Sequence, residues 1–516
     1  MEAARKKELF ETCGITEAIL RMALPTVVGQ VILVIYNMAD TFFIGMTGND
    51  AMLTAVTVCM PAFMFLSAVS NLFGVGGASA IARALGRHDS VRAGDASVFA
   101  LWGCLLTSGL YSLLVLLFRH GFVDLLGGVD PAAHAAAVEY LFYTVVCGGT
   151  VTAVGVLLSH LIRAEGRALH ASIGIALGGV SNILLDPLFM FRILPPGQEA
   201  AGAAIATCLS NVISLLYFVL VLLYNHKHSS LRFRPVRRCL AEQLPAEIFS
   251  AGIPACVMTL FENVSYAVLD KLMSFSGIQM QAGIGVAKKV NMLAHCIVRG
   301  IAQGSLPLIA YNFAAGKRER MRAAVRVSHN IAVGMAGLCM VVSLLWARPL
   351  IGLFIRHGSA SLDAGAAFLR ILCVGGPFSA SAYTYITFFQ AVGEGRKSFL
   401  LAILRKGVVD IPLMFLLGSA FAVCGIVSAT PLADLLCCLA ANAVFAAYIR
   451  RLGCAGPGKD ARPGTALLNR RFASWLTPGF IPSSKSSKPE ATPRQPSSSP
   501  CLSPLSASTS GSLKQT

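Results

Sequence analysis

The chain has 516 residues, of which 55% are apolar and only 13% charged, about half the roughly 25% charged residues usual in a soluble domain. Its mean hydropathy is +0.68, and so few charges cannot cover a water-soluble surface of this size, which excludes soluble enzymes and disordered chains. The formal charge of +17 lies in short loops and the tail, so it does not mark a nucleic-acid binder; the expected class is an all-α, polytopic membrane protein.

Along the chain, Met1 to Thr16 is charged and lacks the apolar run of a signal peptide. A membrane helix needs about 20 apolar residues. Apolar runs between charged or Gly/Pro-rich breaks predict six spans at 18–44, 53–78, 96–118, 135–160, 171–191 and 201–224. Six more follow at 248–273, 284–312, 327–347, 364–390, 399–418 and 425–449. The expected organisation is an N-terminus 1–17, a first lobe 18–225, a linker 226–247, a second lobe 248–450 and a tail 451–516. From Ser483 the tail is Ser/Pro-rich without apolar periodicity and is expected to be disordered. Ala466, Leu467, Phe472, Trp475 and Leu476 fit either an interfacial helix or more tail. Fifteen cysteines do not make a disulfide scaffold. Most stand singly in apolar runs, no CxxC occurs, and each reads as a small buried apolar residue.

Loop charge gives the orientation. One alternating set of loops carries Arg83, Arg87 and Arg92, then Arg163 and Arg167, then clusters around Arg232–Arg238 and Lys317–Arg326, then Arg396 and Lys397. The other set carries only Arg119, Arg192, Arg348 and Arg356. Both termini are therefore expected in the cytoplasm. The halves also repeat. Ala23-Leu24-Pro25 returns as Gly252-Ile253-Pro254, Gly86-Arg87 as Gly316-Lys317, and Glu165-Gly166-Arg167 as Glu394-Gly395-Arg396. An even number of spans separates the copies, so the two six-helix lobes run parallel, an architecture of transporters.

Ionisable groups inside spans cost about 2.5–3.5 kcal/mol each and are functional candidates. No Lys or Arg occurs between Ala23 and Ala82, so Asp40 and Asp186 lack a cationic partner in their own lobe. A proton, a sodium ion, a cationic substrate or a basic group from the other lobe is expected to balance them; the alternative is a structural hydrogen-bonding role. Tyr36 and Asn37 share the helical face of Asp40, and Asn182 that of Asp186. Pro187 frees a carbonyl nearby. Glu262 sits mid-span, with Lys288, Lys289, Arg299, Arg405 and Lys406 as candidate ion-pair partners. Asp410 reads as paired with Lys406, Asp434 has no local partner, and His160 and His295 read as packed polar residues. Gly174 and Gly178 make a small-residue face for helix packing.

Ala23-Leu24-Pro25, Asn37-Met38-Ala39-Asp40-Thr41 and Phe43-Ile44-Gly45 resemble the first helix of multidrug and toxic compound extrusion (MATE) transporters. Arg163-Ala164-Glu165-Gly166 with Asn182-Ile183-Leu184-Leu185-Asp186-Pro187 resembles their fourth and fifth helices. Gln303-Gly304, Pro307 and Tyr311-Asn312 resemble the end of the eighth. Asp40 and the Asn182/Asp186 pair point to the DinF-type branch. The resemblance implies a cation-linked pocket in the first lobe to which Thr207 contributes, with sodium, where used, at Asp40 and Asp186. Glu262 has a counterpart in the NorM-type branch, but Phe378-Ser379-Ala380-Ser381 offers no helix-10 carboxylate. The expected function is an antiporter in the cell (inner) membrane. It would export amphiphilic, often cationic small molecules against H+ or Na+ by alternating access, as a monomer with no other cofactor. A lipid-linked oligosaccharide flippase is the alternative, though its cavity would be more basic. A membrane-embedded enzyme is less expected, since HExxH, GxSxG and P-loop motifs are all missing.

Overall fold

The computed structural model describes residues 8–454 apart from 48–49, 127–130, 196, 235–239, 241–242 and 356–359. The Ser/Pro-rich tail and the candidate interfacial segment lie outside the described residues. In the first half, α1 is Ile15–Met46, α2 Asp50–Gly86 and α3 Ser90–Leu126. Span α4 combines Pro131–Leu141 and Gly149–Ala164 through the π-helical Phe142–Cys147. After it come α5, Ala168–Leu188, and α6, Glu199–Tyr224. The second half has α7, Leu244–Ser274; α8, Ile278–Ala314; and α9, Arg318–Leu345. Span α10 combines Ala360–Val374 and Gly376–Val392. The rest of the chain forms Gly395–Ile403, the π-helical Leu404–Val408 and Asp410–Cys454.

Two spans bend where glycine interrupts them. The α4 pair turns by 46° next to Gly148 and the α10 pair by 43° at Gly375. The last stretch, Gly395–Leu452, is 58 residues of nearly continuous helix, about 87 Å at the helical rise and far more than one bilayer crossing. It is two spans. Ala422 takes φ 50°, and a Cβ built on Gly425 would lie 1.9 Å from the Leu417 carbonyl oxygen. Residues eight apart in a straight helix are separated by about 12 Å, so the chain folds back as a hairpin at Phe421–Ala422. Its arms are α11, entered through Gly395–Ile403, and α12, ending at Cys454. Twelve apolar helical spans result among the described residues.

The helices extend beyond the apolar runs seen in sequence. This corrects the assignment of several cations to loops. Arg83 closes α2, Arg163 lies in the last turn of α4, and both are buried. A helix that outruns the hydrocarbon carries its flanking charges on helical backbone, and long side chains then fold back against protein.

The halves meet through two equivalent pairs, α2 on α7 and α1 on α8. The repeat exchanges α1 with α7 and α2 with α8, so each pair is the image of the other. Backbones touch at both. A Cβ on Gly252 would lie 1.9 Å from the Leu72 carbonyl oxygen, and one on Gly304 would lie 2.6 Å from Ala23 Cα. These contacts lie towards the basic end of the bundle, where polar straps join the same elements. Glu247 pairs with Arg92 at 2.9 Å and Arg83 at 3.7 Å. The N-terminal turn Glu8–Thr12 crosses to the second half: Phe10 stacks on Tyr311, and Lys317 pairs with Glu11 at 2.8 Å. The linker is tied down by Glu165, which accepts from Ser229 Oγ (2.9 Å) and Ser230 N (2.6 Å). Glu165 of the repeated Glu-Gly-Arg motif therefore anchors chain.

Candidate functional site

Three polar regions stand inside the bundle. The first is built by α1 and α5, whose close approach depends on Gly179. A side chain there would collide with Ile32 and Tyr36 of α1. Two turns beyond Gly179, Asp186 is fully buried. Asn182 Nδ2 donates to Asp186 Oδ1 at 3.0 Å and to Thr207 Oγ1 of α6 at 3.3 Å. Asp40 of α1 interacts electrostatically with Asp186, Tyr36 and Tyr140. The structure thus brings together Asp40, Asp186, Asn182, Thr207 and Tyr36. Asn37 is exposed and donates to its own helix at Leu33 O (2.7 Å). Tyr140 of α4 joins the group and was not singled out in the sequence, because a lone Tyr in an apolar run carries no local signal.

This chamber is rich in acceptors. Asp40 Oδ1, Asn182 Oδ1 and Asp186 Oδ2 are buried without a hydrogen-bond partner among the described residues. A cation of the other half acts on this group. Lys289 of α8 interacts electrostatically with Asp40. Two interacting carboxylates and an amide whose oxygens are left open offer the donor set that a proton or a hard monovalent cation, which takes oxygen ligands, would use.

The second region is an ionic lattice in the second half. The π-helical Leu404–Val408 lets two successive cations, Arg405 and Lys406, both point inward, and both are almost wholly buried. Arg405 Nε pairs with Asp434 at 3.0 Å and its Nη2 donates to Ser379 Oγ at 2.5 Å. Lys406 pairs with Asp410 at 3.4 Å, and Asp410 also accepts from Ser265 and Thr430. Asp434, left open in the sequence, therefore has a partner; Arg405 lies 29 residues away, a spacing no local pattern signals. His295 packs against Ser379 at 3.4 Å. Each carboxylate here is matched by a cation and further hydrogen bonds, the arrangement that makes buried ion pairs tolerable.

The third region is a cavity between the halves. Glu262 lines it and is paired with Arg299 Nη2 at 2.9 Å. Of the five candidate partners it takes Arg299; Lys288 pairs with Asp270 instead. Asn71 of α2 donates to Thr259 Oγ1 of α7 across the cavity wall at 3.0 Å. His160 and Arg163 line the cavity from α4, and Gln390 from α10. Arg163 Nη1 donates to His160 Nδ1 at 3.4 Å. His160 is thus a cavity residue as well as a packed one. No local pattern signals this, because only the meeting of the halves creates the cavity.

Twelve apolar spans in two repeated sets, enclosing a polar cavity and a separate buried carboxylate chamber, define a membrane transporter. The family model MatE matches residues 25–188 and again 254–436, one match in each half, and the chain belongs to this family of MATE transporters. Among similar proteins, the multidrug export protein MepA of Staphylococcus saprophyticus is 28% identical over 434 residues, covering 84% of this chain and 94% of the relative. MepA of Staphylococcus haemolyticus is also 28% identical, over 86% of this chain and 95% of its own length. Among solved structures, an outward-facing multidrug resistance MATE transporter superposes with TM-score 0.79 at 23% identity, covering 87% of this chain and 98% of that one. A MOP-superfamily transporter from Pyrococcus furiosus described as having a binding pocket of reversed polarity gives TM-score 0.77 at 23% identity, over 87% and 99%. The family is one of transporters and not of enzymes.

Proposed function

We propose that this protein exports drug-like small molecules from the cell and drives them out with an inward-moving proton or sodium ion. The relatives' activity as multidrug export proteins supports the cargo class and disfavours the flippase alternative. The single observation that carries cation coupling is the trio of unpartnered buried acceptors, Asp40 Oδ1, Asn182 Oδ1 and Asp186 Oδ2. Cation entry satisfies those atoms, and its release leaves them exposed to repulsion between Asp40 and Asp186. Asn182 and Thr207 complete the ligand set, while Tyr36 and Tyr140 wall it off.

The basic end faces the cytoplasm under the positive-inside rule, so both termini are cytoplasmic and this conformation is sealed on that side. Transport then alternates the seal between the ends as 18–225 rocks against 248–450, with the protein acting as a monomer in the cell membrane. Purified protein in liposomes tests the coupling. Export of a fluorescent drug should follow an imposed pH gradient or an imposed sodium gradient. Export that ignores both would overturn the coupling reading.

A further inference from the structure

We propose that the central cavity recognises its cargo through an oxyanion, and that Arg163 is the residue that holds it. The preferred substrates are amphiphiles carrying a carboxylate or similar planar oxyanion on an apolar body. The inference deepens the export reading above and rests on it.

The buried arginines of this chain divide sharply. Arg83 faces Glu247, Arg167 faces Glu165 and Arg405 faces Asp434, each with a carboxylate within 4.0 Å. Arg163 is as deeply buried, at 2% exposure, yet among the described residues no carboxylate lies within that distance. Among the described residues its one hydrogen bond is the long one to His160 Nδ1, and its Nε has no partner. Burying a guanidinium without an anion costs several kcal/mol after relaxation. Such a group persists where something else supplies the charge. Arg163 lines the cavity, so the cargo is in position to do so.

The rest of the wall agrees. Two further unpartnered buried donors line the same cavity, Arg299 Nε and Gln390 Nε2. Arg299 is neutralised by Glu262, which leaves Arg163 as the uncompensated charge. The polarity is opposite to that of the first-half chamber, where the unpartnered atoms are all oxygens. One molecule thus holds an acceptor-rich site for a cation and a donor-rich site for an anion. Val75, Ala255, Met258 and Leu306 give the cavity an apolar wall for the body of such a ligand. A guanidinium fork matches a carboxylate in two parallel hydrogen bonds.

The test uses the full chain in nanodiscs and two dyes with one xanthene body. Rhodamine 110 carries a free carboxylate, and rhodamine 123 carries its methyl ester. Fluorescence polarisation should show the acid bound at least about tenfold tighter than the ester, the effect of a charge-assisted hydrogen bond. The acid-to-ester preference should fall about tenfold in Arg163→Gln and be partly kept in Arg163→Lys. Should Arg163→Gln not fold, Gln390→Glu places a negative charge on the same wall and should cut the preference at least about fivefold. An ester that binds and is exported while the acid has no advantage would overturn the oxyanion inference and leave export standing. Equal weakening of both dyes in Arg163→Gln would reduce Arg163 to a structural part. Binding of neither dye to the wild type would overturn both readings.

Discussion

At the residue scale, the buried charges separate into those already compensated and those left open. Asp434 is compensated by Arg405, with both side chains about 1% exposed. Asp434→Asn would strand that guanidinium, and breaking a buried pair costs about 3–5 kcal/mol. The melting temperature should therefore drop steeply, whereas replacing both partners with Leu and Met should recover most of the loss; thermal unfolding in one detergent measures both. Asp186 behaves differently. Its Oδ1 accepts from Asn182, a bond that an amide oxygen also accepts, while Oδ2 is unpartnered. Asp186→Asn and Asp40→Asn should thus keep the melting temperature within a degree or two and abolish gradient-driven export. Full export in either variant would remove that Asp from the mechanism, and a steep fall in stability would mark it as one half of an ion pair.

At the element scale, glycine sets how near the halves approach. Leu72 O is a backbone atom and cannot step aside for a Cβ at position 252. Gly252→Leu should pry α7 from α2, keep the basic end from sealing and reduce export more than tenfold. A thiol engineered at Val75 in the cavity should then react with a charged reagent added from the basic side. Much of this level was legible in sequence. The spans follow from apolar length, and the repeat follows from Ala23-Leu24-Pro25 and Gly252-Ile253-Pro254, which later coincide with the two contacts at Leu72 and Gly304. The chamber was legible too, because Asp40, Asn182 and Asp186 are conspicuous in runs without cations. What was not legible depends on distant elements meeting. Arg405 and Asp434 join across two helices, Lys289 acts electrostatically on Asp40 from the opposite half, and the cavity that Arg163 lines exists only between halves. Arg163 itself lies past the apolar run but within the last helical turn, so the sequence places it in a loop and the structure places it in the span.

At the scale of the whole molecule, the proposed alternating access requires the seal at the basic end to hold and yet release. Orientation comes first: a thiol introduced in the Lys317–Arg322 segment should stay unlabelled by an impermeant reagent outside intact cells, and labelling there would reverse the proposed topology. The seal itself combines extended backbone packing with polar straps that are individually weak. Glu247 and Arg92 are each more than a fifth exposed, and Lys317 is 39% exposed. Pairs of this kind contribute about 0–1 kcal/mol, too little to lock two six-helix sets together. Asn71 and Thr259 join the same halves beside the cavity through a neutral hydrogen bond of 3.0 Å, also worth only about 1 kcal/mol net. Under the proposed mechanism, a seal made this way would open for a modest difference in binding energy, of the size a bound cation or cargo would supply. Covalent closure removes that freedom. In a chain whose native cysteines are replaced, Asn71→Cys with Thr259→Cys, bridged by a short bifunctional thiosulfonate, should stop export completely, and reduction should restore it. Each single-cysteine variant treated alike should keep exporting. If the bridged protein transports at the unbridged rate, α2 and α7 move as one body and the cargo must pass by a route other than the opening of this seal.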